Sequence, residues 1–143
     1  MAQKSRNRFY KKRLSFQTFT RDNFTCRLCG DKDNELHAHH LLPWSHVHKT
    51  RYDLNNLVTV CKDCHLAKCH AGNYRLLDID ISAKLLEENI KRKHILKNRR
   101  AYIKYFAQYD DKYSKLLTLL KKKRVTSFRE RRKKREKRLN VSK

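Results

Sequence analysis

Cys26 and Cys29 form one Cys-x-x-Cys pair and Cys61 and Cys64 a second, with 31 residues between the pairs. Four thiolates in two close pairs meet the requirement of a structural Zn²⁺, which is normally closed tetrahedrally by four N or S ligands. His65 follows the second pair directly, so the segment that clamps the ion also fixes where an imidazole projects. Between the pairs lie two adjacent histidines, His39 and His40, and the run Asn55-Asn56-Leu57. Neighbouring side chains on a strand point to opposite faces, so His39 and His40 can do different jobs at one site. Neutral imidazole ligates divalent ions and also accepts protons near neutral pH, because its ordinary pKa is about 6.5.

These residues need elements to hold them. Leu36 to Leu42 reads as a strand ending at Pro43, and Leu57 to Val60 as a second short strand. Lys62 to His70 reads as the start of a helix. Phe24 to Gly30 reads as a zinc knuckle, with Gly30 where a positive φ suits glycine best. Ser15 is placed to cap a short helix through Phe16 and Phe19, and residues 1–13 read as a basic arm. The loop from Trp44 to Asp53 has two open readings, a solvated connector or a DNA contact. Ser82 is placed to cap a helix with an apolar stripe of Leu85, Leu86, Ile90, Ile95, Ile103 and Phe106. A further helical segment carries Tyr113, Leu116, Leu117 and Leu120 into a basic tract.

The net charge of +23 is unevenly placed: +7 over residues 1–21, −1 over 22–80 and +17 over 81–143. Residues 121–138 alone hold 12 Lys/Arg against two acids. Such a distribution suits a polyanion gripped by arms beside a near-neutral site. Five cysteines, four of them in close pairs and with no signal-like apolar run, favour metal over disulfides. No stretch approaches a membrane span, so the expectation is a soluble, intracellular protein of a bacterial or phage-infected cell. Import into an organelle is the alternative, since the basic N-terminus imitates a transit peptide.

The order Leu36-His37-Ala38-His39-His40-Leu41-Leu42-Pro43, then Asn55-Asn56-Leu57, then Cys61-Lys62-Asp63-Cys64-His65 resembles the HNH endonuclease family over roughly residues 16 to 72. The resemblance implies an α+β fold: a small ββα-metal core with zinc knuckles, followed here by a basic helical extension. It divides the chain into an arm at 1–15, a nuclease core at 16–80 and a DNA-binding extension at 81–143. It implies that His40 is the general base, that His39 and His65 hold a catalytic metal, and that Asn56 (with Asn55 the neighbouring alternative) ties the loop orienting the base. Cys26, Cys29, Cys61 and Cys64 hold the structural zinc on the same reading. Mg²⁺ or Mn²⁺ is the implied catalytic ion through availability, although imidazole also suits Co²⁺, Ni²⁺ and Zn²⁺.

The chain departs from the family at one point. Some members carry another ligand four residues after the helix histidine, and here that position is Cys69, with His70 one residue on. Three outcomes stay open: a Cys69 thiolate, His70 reaching in from a shifted helix, or neither, which is the favoured reading. His37, His46, His48 and His94 lie outside the motif and read as incidental. Within the nuclease reading, homing, phage packaging and restriction roles are all open, with homing favoured by the basic helical extension. The rival class is a non-catalytic zinc-dependent nucleic-acid-binding protein, whose basic arms would act identically.

The charge placement yields a measurable expectation. Each phosphate neutralised contributes about −0.9 to the slope of log K against log salt on duplex DNA. Removing residues 121–143 should weaken DNA binding and flatten that slope in a fluorescence-anisotropy titration. An unchanged slope would mean that the tract serves something other than phosphate contact.

Overall fold

The computed structural model describes residues 2–45, 47–92, 96, 98–109 and 111–121, with side chains from residue 11 onward. His46, His94, Ile95 and the basic tract beyond Lys121 lie outside the described residues. The architecture is α+β, a two-stranded sheet among helices.

Strands β1 (Leu36–His40) and β2 (Leu57–Cys61) pair antiparallel, with Leu36 opposite Cys61, His37 opposite Val60, Ala38 opposite Thr59, His39 opposite Val58 and His40 opposite Leu57. Period-two alternation gives this ribbon two different faces. Helix α1 (Ala2–Arg21) packs on one of them, where Leu14 and Ser15 line a cavity together with Ala38, His40 and Leu57. The Thr59 hydroxyl also donates to the Thr18 carbonyl of α1 at 3.2 Å. On the other face, His37 and His39 meet His65, which follows the single turn α2 (Lys62–Cys64). The strand–strand–helix order around a metal-ligand set is thus present as the resemblance implies.

Helix α1 differs from the sequence expectation. It runs unbroken through the residues read as an arm, and Ser15 sits inside it rather than at a cap. The segment contains no Gly or Pro and is rich in Lys, Arg and Gln, which lose little rotamer freedom in a helix. It stops where Asn23 and Phe24 take positive φ and the Phe24 N–H returns to the Phe19 carbonyl at 2.8 Å, a Schellman-type closure.

Asp22, just past that helix, is the polar hinge of the fold. Its carboxylate accepts from Arg21 Nε and Nη2, both at 2.9 Å, from the Thr59 backbone N–H at 2.9 Å and from Arg27 Nη1 at 3.4 Å. Burial acts to raise its pKa, but the Arg21 and Thr59 hydrogen bonds and the two guanidinium charges outweigh it and hold the carboxyl below its ordinary value. Arg21 also reaches the Leu54 and Leu57 carbonyls, and Arg27 reaches Asn89 and Glu88. One carboxylate therefore ties α1, β2 and the next helix.

Helix α3 (Ile79–Lys91) starts four residues earlier than a cap at Ser82 would place it. Asp78 caps it by accepting from the Ile81 N–H at 3.1 Å, and Ser82 is buried inside the helix. The expected single stripe is split between two helices, with Leu85, Leu86 and Ile90 on α3 and Ile103 and Phe106 on α4 (Arg99–Ala107), where Tyr102 is also buried. Asn98, at φ 52° and ψ 47°, makes the left-handed turn into α4, a conformation Asn tolerates better than most residues. A last helical stretch at 114–121 adds Leu116 and Leu120 to the same core that holds Cys26, Leu41, Val58 and Cys64. The packing is therefore continuous across residue 80.

Three hydrogen bonds carry that continuity to the loop between the strands. Asn89 donates to the Asn55 carbonyl at 3.0 Å, Tyr102 donates its hydroxyl proton to Asp53 at 2.8 Å, and Asn98 donates to the Lys49 carbonyl at 2.9 Å. Breaking a buried ion pair by removing one partner costs about 3–5 kcal/mol, because the other charge is left uncompensated. Asp22→Ala should lower unfolding free energy by about that much in urea titration. A loss below 1 kcal/mol would show that the Arg21 and Arg27 charges find water or other partners.

Candidate metal centres

The sulfur atoms of Cys26, Cys29, Cys61 and Cys64 all lie within 4.8 Å of one another. Two separate turns bring them there. In the first, the Gly30 N–H donates to the Cys26 carbonyl at 2.9 Å, with Gly30 at φ 79°, as expected of its position. In the second, Cys61 ends β2 and its sulfur accepts from the Cys64 N–H at 3.4 Å. The Cys29 and Cys61 sulfurs are 3.7 Å apart. A tetrahedron with bonds of about 2.3 Å has an edge of about 3.8 Å, whereas a disulfide would need about 2.05 Å. The spacing thus fits ligands of one ion, and the group can hold a metal such as zinc. The protonation chemistry agrees. Burial would raise Cys26, yet backbone N–H groups of Cys29, Cys61 and Leu28 bring it down to about 7. Burial and then the neighbouring sulfurs push Cys64 up. Four thiolates do not coexist here without a cation, and a divalent ion removes that conflict.

The second cluster is made of imidazoles. His39, His65 and His70 each place one ring nitrogen within 4.8 Å of the others. Ring centroids are 5.2 Å apart for His39 and His65, 5.1 Å for His39 and His70 and 4.8 Å for His65 and His70. His65 Nε2 and His70 Nε2 are 3.1 Å apart, and His39 Nε2 is buried with no hydrogen-bond partner. Two nitrogens bound to one ion at about 2.0–2.1 Å, at angles between square and tetrahedral, stand about 2.9–3.4 Å apart. Burial first, then the neighbouring imidazoles, hold His39 well below 6.5 and bring His65 down to about 4. Both rings are therefore neutral near pH 7 and offer lone pairs, as metal ligands must.

The backbone explains why His70 rather than Cys69 joins this cluster. In an α-helix residues four apart share a face. Here α2 gives way to a π-turn at His65–Cys69, whose i→i+5 bonding brings the residue five positions on beneath His65. Cys69 faces the hydrophobic core instead, fully buried, where burial, then the charges of Cys26 and Asp78, push its thiol up to about 12. Of the three readings left open by the sequence, the geometry matches the shifted helix. A helical pattern does not reveal a π-turn, and the only signal was a histidine one place late.

On the α1 face, His40 Nε2 is 3.0 Å from the Arg51 carbonyl. A carbonyl only accepts, so His40 donates there and its lone pair lies on Nδ1. Burial holds His40 below the usual imidazole value, against the pull of that carbonyl, and the charges of Lys11 and Arg51 act in the same direction as burial. The Arg51 loop is held by Asn56, whose Oδ1 accepts from the Leu42 N–H at 2.8 Å and whose Nδ2 donates to the Thr50 carbonyl at 3.1 Å. Asn55 does not make this link, and its own carbonyl takes the bond from Asn89. His40, Trp44, Arg51 and Lys11 border a cavity of about 290 Å³. Lys11 Nζ and the Arg51 guanidinium carbon stand 4.5 and 4.7 Å from the Trp44 ring centre. Trp44 is half-buried and packs against His40 and Tyr52, as either reading of its loop allows.

A two-strand ribbon that gathers four cysteines at one end and three imidazoles on one face offers two groups that can hold a metal. Residues 26–71, about a third of the chain, match the family model described as HNH endonuclease. No curated protein and no solved structure gives a match. Among the described residues, no helix is long and apolar enough to cross a membrane.

Because structural zinc binding is folding free energy, Cys26→Ser should both lose the tightly held ion and unfold the domain. Metal analysis by mass spectrometry together with a circular-dichroism melt checks this. A folded Cys26→Ser protein with full zinc content would remove the four-sulfur site.

Proposed function

We propose that this protein is a metal-dependent HNH endonuclease hydrolysing DNA phosphodiester bonds. The observation that carries the reading is the division of labour between two adjacent residues on β1. His39 faces an imidazole cluster suited to a cation, and His40 faces a basic cavity with one nitrogen fixed and the other free. His39, His65 and His70 would hold a divalent ion through three protein ligands, leaving positions open as catalytic centres require. Such an ion would supply charge stabilisation for the scissile phosphate and its leaving oxygen. With three imidazoles, Mn²⁺, Co²⁺, Ni²⁺ or Zn²⁺ suits the donor set better than Mg²⁺, which prefers oxygen.

His40 Nδ1 takes a proton from water as the water oxygen bonds to phosphorus and the bond to the 3′ oxygen breaks. The Arg51 carbonyl keeps His40 in the required tautomer, and Asn56 keeps that carbonyl in place by tying Leu42 to Thr50. Lys11 and Arg51, stacked on Trp44, supply positive charge beside His40 where a DNA phosphate enters. The basic arm and the extension from residue 81 grip the flanking backbone. A homing-type or phage role accords with this combination of a small core and a large basic extension.

Metal-dependent nicking of supercoiled plasmid tests the reading. Removing a general base typically costs about 10²–10⁴-fold, so His40→Ala should lose activity on that scale while keeping its zinc and its DNA affinity. The sign of the pH dependence follows from the lowered pKa of His40. The base stays unprotonated as pH falls to 6.5, and the wild-type rate should drop only at more acid pH. Wild-type protein that binds DNA but cuts with none of Mg²⁺, Mn²⁺, Co²⁺, Ni²⁺ or Zn²⁺ would instead be a zinc-dependent binding protein.

A further inference from the structure

Glu35 precedes β1 and His37 lies within it, two residues before His39 and on the same face of the ribbon. Glu35 Oε1 is 3.1 Å from His37 Nε2, and His37 Nδ1 is 2.9 Å from His65 Nδ1. We propose that Glu35 and His37 are positioning residues for the imidazole cluster, holding His65 in the tautomer whose Nε2 lone pair faces His39 and His70. This role presupposes that the three histidines hold an ion, as argued above.

The proton placement follows from what each atom can do. An ionised carboxylate only accepts, so His37 donates through Nε2, and neutral His37 then carries its lone pair on Nδ1. The short contact between the two Nδ1 atoms needs one proton, and His65 supplies it. Its Nε2 is left bare, 3.1 Å from His70 Nε2. At the far side, His70 Nδ1 is 2.6 Å from the Leu76 carbonyl, which also only accepts, so His70 Nε2 is bare as well. His39 Nε2 is buried without a partner. The His65 and His70 lone pairs thus face each other with no proton between them, and His39 brings a third ring nitrogen within 4.8 Å. Outer partners of this kind fix the tautomer of a metal-binding histidine, and their loss typically costs about 10–100-fold in metal affinity. His37 lies outside the family motif and read as incidental in the sequence. Its partnership with His65 becomes visible only when the ribbon register brings the two rings to 5.0 Å.

The test compares wild type, His37→Leu and His37→Asn as full-length proteins with measured zinc content. Asn keeps an acceptor near the position of Nδ1, whereas Leu keeps only bulk. Calorimetric titration with Mn²⁺ or Co²⁺ should show a second ion bound about 10–100-fold more weakly by His37→Leu. His37→Asn should recover most of that loss, and zinc content and thermal melting should stay at wild-type values. Long-range ¹⁵N–¹H correlation spectra taken before the titration should report the Nδ1–H tautomer of His65 in wild type and His37→Asn, and a mixture in His37→Leu. Equal affinity in wild type and His37→Leu would overturn the proposal, as would equal loss in Leu and Asn. Wild-type protein that binds no second ion would overturn the triad itself, an outcome visible without any variant.

Discussion

The register of the two-stranded ribbon is the constraint on which both metal centres depend. With His39 opposite Val58 and His40 opposite Leu57, one histidine is delivered to His65 and the next to the α1 cavity. A slip by one residue would exchange the faces of every side chain on the strand. His40 would then meet the imidazole cluster, and His39 would lose its place there. The register is secured at both ends by main-chain bonds beyond the strands. The Leu41 N–H donates to the Asn56 carbonyl and the Lys62 N–H to the Glu35 carbonyl, both at 2.8 Å. Between them, Val58 and Val60 are fully buried and cannot turn to solvent without losing their core contacts.

The two centres share one short segment yet differ in kind. Cys64 belongs to the sulfur site and His65, its neighbour, to the imidazole site. Four sulfurs would leave no free position on an ion, which suits a staple. Three imidazoles would leave positions open, which suits the catalytic role proposed above. The π-turn reconciles them, since it carries Cys69 into the core while bringing His70 under His65. Its exit requires positive φ at Ala71 and Gly72, 49° and 82°, and the Gly72 N–H closes back onto the Leu66 carbonyl at 2.8 Å. Such turns recur at functional positions because the helix gives up regular bonding to aim one more side chain.

The helices after residue 78 contribute more than charge. Their apolar faces complete the core that the ribbon begins, and three of their polar side chains hold the loop carrying Arg51 and Asn56. The loop whose Arg51 carbonyl holds the proposed base gains from being tied to rigid elements on both sides. Asn56 ties it to β1 and the Asn89, Asn98 and Tyr102 bonds tie it to α3 and α4. Deletion of these helices is therefore expected to disturb the site as well as DNA affinity, which separates them from the terminal basic tract.

The amino-acid sequence by itself determined the parts of this protein that rest on local chemistry. Paired cysteines specify a tetrahedral sulfur site because only close spacing lets two thiolates reach one ion. The run Leu36 to Leu42 declares a strand, which the fold ends at His40, Gly30 declares a left-handed turn, and His39, His40 and Asn56 a recognisable order. Other features are not local. Ser15 and Ser82 are reasonable caps in isolation, yet α1 continues through one and Asp78 supersedes the other, because propensity extends the first helix and a nearer carboxylate starts the second. His70 enters its cluster through a π-turn, whose bonding pattern leaves no period in the sequence. His37 meets His65 across a strand and a turn, 28 residues apart, and nothing short of the folded ribbon brings those two nitrogens to 2.9 Å.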